Sequence, residues 1–120
     1  MRLFHLLFCY TLSLLFSVAQ PNIALEKQAD SLRLCGFYKQ ELLLREKINR
    51  EDFNYQLASI NCLLVDNNTA QAYSLLQSLR PTSELATYWY KLTFSKYYID
   101  NQELDKASSL LETIAASENP

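Results

Sequence analysis

A single glycine, Gly36, serves the whole 120-residue chain. Glycine reaches left-handed backbone angles without steric cost, and hairpin-rich sandwiches, dinucleotide-binding loops and phosphate cradles each require several. A chain this poor in glycine is left with helices joined by short turns. The apolar residues point the same way. They recur at helical spacing and are interrupted at short intervals by Asn, Asp and Pro. At 49% hydrophobic and 20% charged, the composition is that of a globular protein rather than a disordered one.

Residues 1–19 read as a signal peptide, with Arg2 ahead of a Leu/Phe-rich run from Leu3 to Leu15 and the small-residue stretch Ser17-Val18-Ala19 at its end. Cleavage after Ala19 would leave residues 20–120 as one helical domain, secreted or periplasmic. Membrane attachment is expected only if the leader is retained as a short anchor. The only histidine, His5, lies in that leader. The mature chain therefore offers no Ser-His-Asp triad and no histidine metal site, and Cys35 has no histidine base to activate it. No enzyme, metal or cofactor is expected. Loss of Arg2 leaves a weakly acidic chain with no long run of one charge, which gives nucleic acid no basic face to bind. Cys35 and Cys62 can be read as a disulfide of an oxidising compartment or as two buried thiols, and the sequence leaves both open.

Six helices fit the mature chain. The first runs from about Ile23 to Leu34 and stops at Cys35-Gly36, where glycine suits the left-handed position after a helix. The second, Tyr38 to Asn49, carries its apolar residues as Leu42, Leu43, Leu44 and Ile48. The third, Asp52 to Val65, aligns Phe53, Leu57, Ile60 and Leu64 on one face and ends at Asp66-Asn67-Asn68. The fourth, Thr69 to Leu79, lines up Ala72, Leu75, Leu76 and Leu79 before Arg80-Pro81 stops it. Thr82 or Ser83 can cap the fifth, which reaches Ile99 and holds Tyr88, Trp89, Tyr90, Phe94, Tyr97 and Tyr98. A sixth spans Leu104 to Ala116. Nothing reads as a strand. Asn67-Asn68-Thr69 matches a glycosylation sequon, and the acidic clusters lack the spacing and glycine of a calcium loop.

At an offset of 35 residues the chain matches itself: Tyr55 falls on Tyr90, Leu57 on Leu92, Leu64 on Ile99, Ala72 on Ala107, Leu76 on Leu111 and Leu79 on Ile114. A further, weaker unit around Gly36-Phe37-Tyr38 lies about 31 residues ahead of the second. A helix-turn-helix unit at this interval resembles the tetratricopeptide family, whose 34-residue pattern runs Trp-x2-Leu-Gly-x2-Tyr, Ala-x3-Phe, Pro. The last unit carries the resemblance: Tyr98 at the tyrosine place, Ala107 nine residues on, Leu111 for phenylalanine and Pro120 one residue late. Lys91, Phe94 and Ser95 depart from the tryptophan, leucine and glycine.

The resemblance implies two to three antiparallel hairpins in a short right-handed solenoid. Ala72, Leu76, Phe94, Ser95, Tyr98, Ala107 and Leu111 would pack the repeats, and Asn54, Asn61, Trp89, Leu92 and Lys96 would line a groove for a protein or peptide partner. Trp89 and Leu92 can equally be read as packing residues. A solenoid normally ends in a helix with a polar outer face, whereas the last helix here bears Leu110, Leu111 and Ile114. Docking through that uncapped helix is a second expectation. The function implied is a non-catalytic interaction module, either acting alone or as the front part of a larger exported signalling or protease-like protein.

Overall fold

The computed structural model describes residues 23–118, and among these every regular element is a helix. The signal-peptide reading of residues 1–19 lies outside the described residues. None of the described helices is long and apolar enough to cross a membrane. The chain divides into two compact units, Met1–Ile48 and Asn49–Pro120.

Within the first unit, α1 covers residues 23–34 and α2 spans Tyr38–Ile48. The apolar run of α2 does not form its buried face: Leu43 is exposed, and Leu42, Leu44 and Ile48 are half-buried. The buried positions are Glu41 and Arg45, one helical turn apart, together with Ala29 and Arg33 from α1. Consecutive leucines wrap around a helix rather than line one side of it. The charges can go inside because they meet each other.

The second unit holds α3 (Phe53–Val65), α4 (Thr69–Ser78), α5 (Glu84–Asp100) and α6 (Leu104–Glu118). The stripe read from α3 is buried as expected: Leu57, Ile60 and Leu64 are each 2% exposed or less, and Phe53 packs beside them. Ala72 and Leu76 from α4, Leu79 just after it and Tyr97 from α5 complete this core. Each buried leucine or isoleucine contributes about 1.5–3 kcal/mol by leaving water. The α3 helix packs on α4 and α5, α4 on α5, and α5 on α6.

Three corners share one geometry. In α1, the Gly36 N–H donates to Arg33 O and the Phe37 N–H to Leu32 O, with Gly36 at φ 80°. After α3, Asn67 donates to Leu64 O and Asn68 to Leu63 O; after α5, Gln102 donates to Ile99 O and Glu103 to Tyr98 O. Asn67 and Gln102 both stand at φ 61°. These are Schellman turns, which satisfy the orphan carbonyls at a helix end. The residue closing each turn then starts the next helix: the carbonyls of Phe37, Asn68 and Glu103 accept the N–H of Glu41, Ala72 and Ala107. The corners lie 31 and 35 residues apart, so Glu41, Ala72 and Ala107 are structural equivalents.

The fourth connection is built differently. Arg80 turns back to donate to Gln77 O and Leu79 O, covering the carbonyl end of α4. Ser83 rather than Thr82 caps α5, its Oγ accepting the Ala86 N–H at 3.0 Å.

Candidate functional site

An aromatic-walled surface groove lies between α5 and α6. On α5, Tyr90, Phe94 and Tyr98 stand at i, i+4 and i+8, so their rings form a ladder along one side of the helix. Neighbouring centroids lie 5.6 Å apart for Tyr90 and Phe94 and 5.0 Å for Phe94 and Tyr98. The Tyr90 hydroxyl donates to Leu76 O at 2.9 Å, which fixes the first rung to α4. Tyr73 stacks on Tyr97 at 5.0 Å and meets the Phe94 rung edge-on at 6.1 Å.

Across from the ladder, α6 supplies Asp105, Lys106, Ser109, Leu110 and Thr113, and the space between is an open groove of about 570 Å³. Its rim is charged. The Lys106 ammonium lies 5.8 Å from the Tyr98 ring centroid and 2.8 Å from Glu103 Oε1. The hydrogen bond from Lys106, with a second from Asn101, holds the Glu103 carboxyl below its ordinary value, and the bond to Glu103 raises Lys106. Both therefore stay ionised at neutral pH. An apolar trough with a cation at one lip suits an apolar or aromatic side chain.

Of the residues expected to line a peptide groove, Asn61 is 3% exposed and presents almost no surface. Trp89 is half-buried and packs against the core, while Asn54, Leu92 and Lys96 are half-buried. Among the packing residues, Ala72, Leu76, Ser95 and Ala107 are buried, and Phe94 and Tyr98 lie half-buried against the core. Ser95 keeps its hydroxyl satisfied by donating to Lys91 O at 2.8 Å. Leu111 is 39% exposed and Ser108 is exposed. Cys35 is exposed and Cys62 is buried in α3.

A charged cluster sits inside the first unit. The Glu41 carboxylate is fully buried; its Oε2 takes 2.8 Å contacts from Arg33 Nε and Nη2 and a 3.1 Å bond from Arg45 Nε. Arg45 Nη2 also reaches Asp30 Oδ1 at 2.7 Å. The second oxygen, Oε1, has no hydrogen-bond partner among the described residues. Burial pushes the Glu41 carboxyl up and the Arg33 guanidinium down, against the pull of their mutual attraction. The turn equivalence places Arg33, Glu41 and Arg45 where the second unit has Leu64, Ala72 and Leu76. The sequence signal for this cluster was the Glu41–Arg45 spacing, which also fits an exposed pair.

Among the described residues, no three His, Cys, Asp or Glu side chains come together to hold a metal ion. Set against known proteins, this chain matches no family model, no curated protein and no solved structure.

Proposed function

We propose that this protein is an exported, non-catalytic interaction module of tetratricopeptide-like hairpins in a short right-handed solenoid, and that it takes an apolar or aromatic side chain of a protein segment into the α5/α6 groove. The observation that supports the reading most is the threefold corner, with the same pair of hydrogen bonds at Gly36, Asn67 and Gln102 and the same following helix start. One corner geometry used three times is what a chain of repeating hairpins requires. The groove is favoured over the surface of Asn54, Asn61, Trp89, Leu92 and Lys96 because Asn61 is buried and Trp89 is engaged in packing.

A peptide library displayed on phage tests the reading. Selected peptides should share an aromatic or large aliphatic anchor and should lose binding to a Ser109→Arg/Thr113→Arg variant. Both positions are exposed, so the variant keeps the fold while its side chains fill the groove. Peptides that bind the variant as well as the wild type, or protect Leu92 and Lys96 instead of α6 from hydrogen exchange, would refute the groove assignment.

A further inference from the structure

The turn equivalence pairs the core-lining residues of α3 and α4 with residues of α5 and α6, and their exposures part sharply. Leu64 is 2% exposed and its equivalent Ile99 is 49%; Leu76 is 0% exposed and its equivalent Leu111 is 39%. The reason is visible in the second unit. The α3 and α4 helices lie under α5, whose Trp89, Tyr90, Phe94 and Tyr97 pack with the cluster that includes Leu64 and Leu76. Within the second unit, the principal packing of α6 is on α5 alone. What remains is an apolar trough of about 440 Å³ on the flank of α6 away from the aromatic groove, floored by Ala107 and Ala115 and walled by Ile99, Leu104 and Leu111.

We infer that this flank is a docking face for one amphipathic helix of another protein, bearing an aromatic stripe and basic flanking residues. The shape follows from α5, which shows what kind of element the equivalent surface accepts: a single helix with aromatic side chains at i, i+4 and i+7 or i+8. A floor of small residues lets a helix approach closely while large rings fill the sides. The charge follows from the lining, where Glu112 is the one charged residue and lysine and arginine are absent. Long-range attraction to such a lining selects basic flanks and raises the association rate. The inference rests on the corner geometry and the exposures and stands apart from the groove reading.

The probe is a stapled, fluorescently labelled peptide of the α5 sequence, residues 84–100, with two lysines added at each end, titrated against the full chain by anisotropy. Saturable binding is expected, weakened at least about tenfold by Leu111→Glu, where a charge replaces an apolar wall. Ile99→Glu provides a second variant on an even more exposed position, and circular dichroism checks that both stay helical. In the Ser109→Arg/Thr113→Arg background, where the α5/α6 groove is filled, Leu111→Glu should still weaken the probe at least about tenfold, which separates this face from the groove. The same peptide flanked by glutamates should bind at least about fivefold more weakly at low salt. No saturable binding, binding indifferent to both face variants, or equal binding of the two flanked peptides would overturn the inference. So would a dimer of the full chain that Leu111→Glu dissociates, because the face would then belong to a second copy.

Discussion

Removing the carboxylate of Glu41 should be far more damaging than removing the whole cluster around it. In Glu41→Ala, the Arg33 and Arg45 side chains, 2% and 4% exposed, keep their charges and lose the buried carboxylate they share, with the exposed Asp30 still bound to Arg45. Breaking a buried pair from one side in this way costs about 3–5 kcal/mol. The triple change Arg33→Leu/Glu41→Ala/Arg45→Leu instead writes into the first hairpin the residues found at Leu64, Ala72 and Leu76, removing the charges with their desolvation cost. Replacing a buried ionic cluster by packed apolar residues is neutral or stabilising by about 1–4 kcal/mol. The partner left behind, Asp30, is 58% exposed, so water takes over its solvation. Urea titrations followed by circular dichroism, with hydrogen exchange of the α2 amides to localise the effect, give the comparison. A Glu41→Ala variant within about 1 kcal/mol of wild type would mean that the cluster is not buried in solution. A triple variant as unstable as the single one would refute the equivalence of the hairpins.

The same carboxyl makes a pH prediction. Burial holds the Glu41 carboxyl above its ordinary value of 4.5, so between that value and the raised one the folded chain keeps a proton that the unfolded chain has released, and stability falls as pH rises through that window. Replacement by glutamine should flatten this part of the stability–pH curve; an unchanged slope would place the raised carboxyl elsewhere. At the α5/α6 contact, Ala107→Leu should destabilise by about 1–3 kcal/mol through overpacking while Ser108→Leu is nearly silent, as thermal melts of the two variants would show. At the corners, Gln102→Gly should stabilise by about 0.5–1 kcal/mol, because glutamine at φ 61° is strained. Asn67→Gly should gain less, since asparagine tolerates that region, and Gly36→Ala should lose about 1 kcal/mol although no atom lies within 4 Å of the added Cβ. A reversed order in chemical denaturation would show that backbone strain does not govern these turns.

Much of the helical framework is legible because a helix with one dry face must repeat its apolar residues at 3.6 spacing, as Phe53, Leu57, Ile60 and Leu64 do. Helix ends are legible where one residue dictates the stop, as at Gly36 and Pro81. The identity of the three corners is not, since Gly36, Asn67 and Gln102 are different residues and only the backbone shows that they do the same thing. The buried side of α2 escapes a hydropathy reading because Glu41 becomes buriable only when Arg33 arrives from another helix. Leu76 and Leu111 show the remaining gap. Residue type makes them alike, and only the presence or absence of a covering helix separates one that is inside from one that is not.

Every principal packing contact of the second unit joins helices that are adjacent or next to adjacent along the chain. Closing a corner as short as 66–68 or 101–103 costs little chain entropy, and helical proteins rich in such local contacts fold within microseconds to milliseconds. The α3–α4 hairpin can thus close before α5 has been synthesised, and α5 reaches a surface already assembled. Aromatic side chains that would otherwise linger in water during synthesis, Trp89 and Tyr90 first among them, meet their partners almost as soon as they appear. Vectorial synthesis and vectorial packing run in the same direction here, which shortens the time in which a half-made chain exposes its stickiest helix to its neighbours.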